Sequence, residues 1–347
     1  MNNYRILIDI NHPAHVHFFK NYYWLMKKRG HQILVVSSNK ECSHQLLNYY
    51  KIPFTSIPGY PESKIGKLLS IPLMDLKIYQ IARKFKPDLF IGIASHRIAH
   101  IAWLMRKKSV ILDDTGYKWN VLLYKSFTNQ IFSPEAFKLK FGKNHFKYKS
   151  FHELAYLDPK YFKPDKKSLD FLNLHKNEKL FLIRFSSWQA GHDLDSLNKG
   201  FSEAKKIKLV QLLKKYGRVC ISSEGKIHPS LEKFVLKKNP EKIHDLIYFS
   251  DLVISEGATI ASEAALLGVP SIYVSGLLPD TIKEQNKQGL IENFKHEDSA
   301  IKKIEQILVD KNLKQKNRIK LENLLKKQIS LTDFLLEVSD ETIYDQK

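Results

Sequence analysis

Residues 251–273 read DLVISEGATIASEAALLGVPSIY, and this stretch decides the fold. It parses as an apolar strand over 251–255, a small-residue loop, a short helix closed by Gly268, and a second strand entered through Pro270. A strand that ends in a glycine-containing turn and opens a helix aims the free N–H groups of the helix's first turn beyond the C-terminal edge of the sheet. That geometry suits a phosphate. Glu263, expected in or near the first helical turn, then lies within reach of what the phosphate carries. A carboxylate there can accept two hydrogen bonds from the vicinal hydroxyls of a ribose. An ordinary strand-helix-strand unit whose glutamate complements the helix dipole reads the same locally, so the surrounding chain has to decide.

Outward from this segment the same grammar recurs. Strand patterns at 4–10, 32–38, 88–94 and 109–112 alternate with helical patterns at 16–29, ended by Gly30, and at 98–106. A break follows at 157–165, LDPKYFKPD, where two prolines and an aspartate cluster. The alternation then restarts with strands at 179–185 and 218–222 around a helix at 202–216. Strands that alternate with helices predict parallel sheets covered on both faces, hence an α/β fold of two doubly wound domains. The expected division is 1–158, 159–328, and a tail at 329–347 that packs back on the first domain.

Bulk properties agree with that class. A chain of 347 residues, 43% hydrophobic, has enough apolar sequence for two cores, and no apolar run approaches the roughly 20 residues of a membrane span. Cys42 and Cys220 are too few and too far apart for a disulfide framework or a metal knuckle. The N-terminus passes into a strand with no leader pattern, so the expected location is the cytoplasm, with the inner membrane face as a further expectation. The net charge of +20 comes mostly from lysines dispersed over helices, such as Lys27, Lys28, Lys205, Lys206, Lys214 and Lys215. A solvated lysine face from a biased genome explains this, and an anionic membrane surface explains it as well. Nucleic acid is not the expected partner, because no recognisable reading module accompanies the charge.

In open parallel sheets ligands collect beyond the C-terminal strand ends, so the loops there carry the candidate chemistry. The loop after Ile10 offers Asn11, His12, His15 and His17 without the glycines of a phosphate cradle. His15 and His17 are two apart and diverge on a helix, which argues against zinc; a histidine here suits proton transfer near neutral pH, or capping of the next helix. His96 and Arg97 stand at the end of the 88–94 strand, and Asp113, Asp114 and Thr115 follow the 109–112 strand. Asp113, Asp114 or Asp9 can orient His15 or His96; alternatively Asp-Asp-Thr-Gly is a turn whose carboxylates bind local backbone. In the second half, Arg184 with Ser186 and Ser187 suits a diphosphate, while the Asp193/Asp195 pair does not end a strand as a metal-diphosphate site requires. Trp188 reads as packing, and residues 244–246, beginning at His244, are candidates for backbone contact with a base.

These residues carry a resemblance. Through DINHPAHVHFFK (9–20), RGHQILVVSS (29–38), PDLFIGIASH (87–96), DPKYFKPD (158–165) and the 251–272 segment, the chain resembles a family catalogued as a domain of unknown function within the glycosyltransferase B superfamily. The last segment is similar to the donor-nucleotide segment of the peptidoglycan N-acetylglucosaminyltransferase that makes lipid II. The resemblance implies two Rossmann-like domains facing across a cleft, with donor on the C-terminal half and acceptor on the N-terminal half. It implies Glu263 as the ribose ligand, Gly257, Ala258, Thr259 and Ile260 as the phosphate-facing turn, and His15 as the histidine of the acceptor loop. Two departures stand out: Asn11-His12-Pro13-Ala14 replaces a glycine-rich acceptor loop, and Glu256 puts a second carboxylate where glycine is common. The expected activity is transfer of a sugar from a nucleotide-sugar, uridine diphosphate being the expected carrier, to an acceptor hydroxyl on a glycan or lipid-linked acceptor. No metal or other cofactor is expected. A nucleotide-sugar 2-epimerase, to which His192 could belong, is the runner-up, although its His-Arg-Arg-Glu run is absent. A sugar- or nucleotide-binding scaffold without chemistry is the third reading.

Overall fold

The structure, a computed structural model, describes residues 3–61, 63–186, 200–236, 239–310 and 312–344. The chain divides into two compact units, one of residues 1–161 with 329–347 and the other of residues 162–328. Each is a parallel sheet flanked by helices, a Rossmann-like arrangement.

The first unit holds seven strands: β1 (Arg5–Ile10), β2 (Gln32–Ser38), β3 (Phe54–Ile57), β4 (Leu89–Ile93), β5 (Lys108–Leu112), β6 (Gln130–Pro134) and β7 (His145–Tyr148). Their order is β3-β2-β1-β4-β5-β6-β7, every pair parallel. The direction of winding reverses between β1 and β4. Strands β1 and β4 are apolar almost throughout because helices cover both of their faces. On one face, Leu7, Phe90 and Ile111 pack against Ile78, Ile98 and Val121 of three helices. The helix Pro13–Lys28 buries Phe18, Phe19, Tyr22 and Met26 and packs against the C-terminal helix Leu331–Tyr344. Tyr22 Oη bonds Ser339 Oγ at 2.7 Å and Arg29 pairs with Asp340 at 2.8 Å, so the tail is part of this unit.

Several elements differ from the sequence pattern. The first helix starts at Pro13, three residues before expectation, because proline fits the first helical turn and His12 caps it, its Nδ1 accepting from Ala14 N at 3.2 Å. The fourth helix begins at His96 after Ser95, placing His96 and Arg97 in its first turn. The pattern also missed β3, β6, β7 and the long helix Lys64–Phe85, whose apolar residues lie on all sides.

The β1/β4 junction is laced by charge. Asp9 is fully buried at the end of β1 and accepts from Arg97 Nε at 2.9 Å, Arg97 Nη2 at 2.5 Å and Ser95 Oγ at 2.5 Å. Arg97 Nη1 also donates to Ser38 Oγ at 2.9 Å, so the cluster ties together the ends of β1, β2 and β4. Gly92 makes room: a Cβ there would stand 2.9 Å from Ile98 and 3.4 Å from Asp9. Nearby, His100 joins three helices, bonding Asp75 Oδ2 of Lys64–Phe85 at 2.8 Å and the Leu123 carbonyl of Lys118–Tyr124 at 2.8 Å.

The second unit holds β8 (Lys179–Phe185), β9 (Gly217–Ser223), β10 (Leu252–Ser255), β11 (Ser271–Val274) and β12 (Ile291–Phe294), all parallel, in the order β12-β11-β10-β8-β9. Its winding reverses between β8 and β10. Phe181, Ile183 and Ile254 pack against Leu209 and Leu213 of the helix Glu203–Lys214 and Ile301 and Ile304 of Glu297–Val309. The helix Ala258–Leu266 ends at Gly268, whose φ of +69° is the left-handed conformation that glycine adopts without strain.

Two outcomes follow. Arg97→Met strands a buried carboxylate and should cost about 3–5 kcal/mol, read as a lower urea midpoint. The double variant Asp9→Asn/Arg97→Met, which removes both charges, should recover part of that loss; no recovery would show that the pair is not the source. For His100, burial alone would lower the pKa, but the Asp75 and Leu123 bonds outweigh it and raise it above 6.5. A raised folded-state pKa contributes stability that is complete below the unfolded value and is lost as pH rises through the folded one. Urea midpoints should therefore fall as pH rises above about 6.5, and Asp75→Asn should flatten that decline.

Candidate functional site

The polar side chains of the first unit gather at the C-terminal ends of β1, β4 and β5, and most of them are engaged with one another. His17 is buried, its Nδ1 3.2 Å from Tyr50 Oη. His96 Nδ1 meets Asn120 Oδ1 at 3.2 Å, and Asn120 Nδ2 donates to the Ala94 carbonyl at 2.7 Å. That orientation makes Nδ1 the protonated nitrogen of His96 and leaves Nε2 to accept from Tyr60 Oη at 3.0 Å. Burial lowers the His96 pKa and pushes Tyr60 up to about 12, which keeps both neutral. Ala94, just before this helix, has a φ of +45°, a left-handed backbone that a residue with a Cβ adopts only under strain.

None of the three aspartates orients His15 or His96 as the sequence suggested. Asp9 is taken by Arg97 and Ser95. Asp113 is a turn residue: Oδ1 accepts from Thr115 N at 2.8 Å, Thr115 Oγ1 at 2.9 Å and Gly116 N at 3.0 Å, and Oδ2 accepts from Tyr124 Oη at 2.5 Å. A short-range turn satisfies a buried carboxylate more cheaply than a distant imidazole can. Asp114 pairs instead with His152, Oδ2 to Nδ1 at 3.3 Å. Burial raises the Asp114 pKa, Asp113 adds to the rise, and His152 opposes it.

His152 is the residue that sequence reasoning missed. It lies in the run FHELAYL (151–157), where an imidazole among apolar neighbours was the available signal. It is buried, edge-on to Phe18 at 5.1 Å and stacked on Tyr148 at 6.1 Å. Its Nε2, the Tyr148 hydroxyl and His15 Nδ1 are all buried without a hydrogen-bond partner among the described residues. Such groups are rare in folded proteins and ask for an explanation. Burial holds the His15 pKa well below 6.5, and the neighbouring His12 and His152 lower it further, which favours the neutral imidazole. Asn11, which precedes His12 in the chain, is partly buried.

In the second unit the donor-like segment frames the β8/β10 junction. Gly257 caps the helix Ala258–Leu266 with no side-chain bond, and among the described residues no side chain caps the first-turn amides of Ala258, Thr259 and Ile260. Gly257 N donates to Ser255 Oγ at 3.0 Å, and a Cβ on Gly257 would lie 3.4 Å from Ser186 Oγ. Ser186 thus stands beside this helix start. Glu256 does not present its carboxylate there: it is buried, with Oε2 accepting from Ser186 N at 2.9 Å and Oε1 from Phe201 N at 2.7 Å. Gly200 permits this approach, since a Cβ on it would come within 2.3 Å of Glu256 Oε1. Glu263 lies in the second helical turn rather than the first, buried, with Oε1 3.1 Å from His244 Nε2. Arg184 turns toward β9, donating to Ser222 Oγ at 2.6 Å and Glu224 Oε1 at 2.5 Å. Ser187, Trp188, His192, Asp193 and Asp195 lie outside the described residues. Among the described residues, no three His, Cys, Asp or Glu side chains are grouped to hold a metal ion.

Similar proteins are informative about the fold. A putative UDP-N-acetylglucosamine 2-epimerase from Listeria monocytogenes superposes with a TM-score of 0.70 at 12% identity, covering 100% of this chain and 98% of that one. UDP-GlcNAc 2-epimerase from Neisseria meningitidis, bound to UDP-GlcNAc, gives 0.62 at 12% identity over 93% and 100% of the two chains. The spinosyn rhamnosyltransferase SpnG gives 0.65 at 10% identity over 97% and 100%. Epimerases and glycosyltransferases therefore share this GT-B-like fold with the chain, while no curated protein matches it in sequence. Residues 4–335 match a single family, described as a protein of unknown function (DUF354), and the chain belongs to that family.

Proposed function

We propose that this protein is a metal-independent glycosyltransferase that moves a sugar from a nucleotide-sugar to an acceptor hydroxyl in surface polysaccharide or glycolipid assembly. The observation that carries the reading is the helix start at Ala258, which no side chain caps among the described residues, beside Ser186 at the junction where strand order reverses. A diphosphate set there has its charge offset by helix amides and by the positive end of the helix dipole. Glu263 takes the ribose hydroxyls, with His244 holding one carboxylate oxygen. Arg184 helps only by leaving Glu224, so the amides carry the larger share of leaving-group stabilisation.

His15 of the first unit is the proposed base. Its lowered pKa keeps it neutral at physiological pH, and Nδ1 is open to accept the acceptor's proton. His152, held by Asp114, is the second imidazole of the group and the alternative base. His96, with both nitrogens bonded, drops to a positioning role. Metal independence is part of the proposal, and turnover should survive excess EDTA.

A panel of uridine, guanosine, cytidine and thymidine diphosphates should identify the base by thermal shift, since a ligand bound to the native state alone raises stability by mass action. With the best of them, Glu263→Ala should weaken binding by about 1–3 kcal/mol in titration calorimetry. Unchanged affinity would remove Glu263 from the site.

Chemistry is tested separately. His15→Gln should lower kcat by about 10²–10⁴ and leave diphosphate affinity nearly unchanged. Incubation with nucleotide-sugars alone in D₂O, read by NMR, should return them unaltered. A product inverted and deuterated at C2 would instead make the protein a 2-epimerase and leave His15 without its proposed role.

A further inference from the structure

No described helix is long and apolar enough to cross a membrane. The first unit nevertheless exposes an apolar face that its own fold does not require. The helices Lys64–Phe85, His96–Leu104 and Lys118–Tyr124 pack side by side, stitched by His100 to Asp75 and Leu123 and by His96 to Asn120. The first of them buries Met74, Ile78 and Ala82 against the sheet, as an amphipathic helix should. Its outer side is apolar too: Leu69, Leu73 and Leu76, at i, i+4 and i+7, are all exposed, Leu69 at 74%. Trp103 at the end of the second helix is 60% exposed, and Trp119 and Leu122 on the third are exposed as well, Trp119 at 72%. Single exposed apolar residues need no account, but large ones concentrated on three adjoining helices mark a surface that meets something apolar.

Charge selects the occupant. Asp75 is the one carboxylate in these three helices, and its partner is His100. Lys77, Arg83, Lys84 and Lys118 lie on the same helices, and Arg106 follows the second. A second copy seated on this face would bring two cationic surfaces together. A bilayer containing anionic lipid attracts the lysines and arginines and offers an apolar layer to the leucines, with tryptophan favoured at the boundary between the two. We propose that this three-helix face docks on an anionic membrane, with Leu69, Leu73, Leu76, Trp103 and Trp119 entering the headgroup and acyl boundary. The proposal is independent of which reaction the protein catalyses.

Flotation of the full chain with vesicles of phosphatidylcholine, with and without phosphatidylglycerol, tests it. The parent should bind the phosphatidylglycerol vesicles with a blue shift of tryptophan fluorescence. Binding should weaken but persist at about 1 M salt, where charges are screened within about 3 Å and apolar insertion is not. Leu69→Ser/Trp119→Ser should lower the bound fraction by about ten-fold or more at both salt levels, from lost apolar burial. Both side chains are exposed, so the thermal midpoint should be unchanged, and Lys118→Glu, which keeps the apolar residues, should weaken binding mainly at low salt. Failure of the parent to bind either vesicle, or equal binding by the double variant, would overturn the proposal. So would a stable dimer in light scattering that Leu69→Ser disperses, because a second copy would then cover the face.

Discussion

A buried carboxylate at each strand-order reversal holds the two sheets in the form that the rest of the molecule uses. In the first unit Asp9 gathers Arg97 and Ser95, and through Arg97 reaches Ser38, so the ends of β1, β2 and β4 are tied together. In the second, Glu256 at the end of β10 collects the amides of Ser186 after β8 and of Phe201. At such a reversal neighbouring connections leave in opposite directions, and the strand ends lack a covering loop that would satisfy their polar groups. A buried anion that accepts several hydrogen bonds supplies that satisfaction, at a desolvation cost that only complete bonding offsets.

This arrangement decides which residues remain available for chemistry. Asp9, Asp113 and Glu256 each look like candidates for acid-base or phosphate chemistry, and each is bonded on both oxygens. The buried polar atoms without a partner among the described residues include two imidazole nitrogens and a phenol, His15 Nδ1, His152 Nε2 and the Tyr148 hydroxyl. Their burial lowers the His15 pKa and raises those of Tyr148 and Asp114. Burial thus favours the neutral forms of His15 and Tyr148.

The two units divide their demands differently. The first invests in bonds among helices, through His96, His100 and the C-terminal helix, and its outer helices carry the exposed leucines and tryptophans. The second opens the helix Ala258–Leu266 on a glycine, which has no side chain of its own to cap the first turn.

Period and punctuation alone determined the alternation of strands and helices, the parallel character of both sheets and the strand-helix-strand form of residues 251–273. Those properties follow from local apolar patterning and from glycine and proline, each readable within a dozen residues. Even so, short or partly polar strands such as β3 and β7 escaped, and so did the helix Lys64–Phe85, because an element apolar on all sides shows no period. Only the tertiary structure decided what each polar side chain does. Asp113 and Asp114 are adjacent and chemically alike, yet one closes a turn and the other faces His152, 38 residues away. His12, His15 and His17 share one hexapeptide, but the first caps a helix, the second is left with an open nitrogen and the third meets Tyr50. Burial and partner identity set protonation and availability, and both arise from residues distant in sequence, which no local pattern encodes.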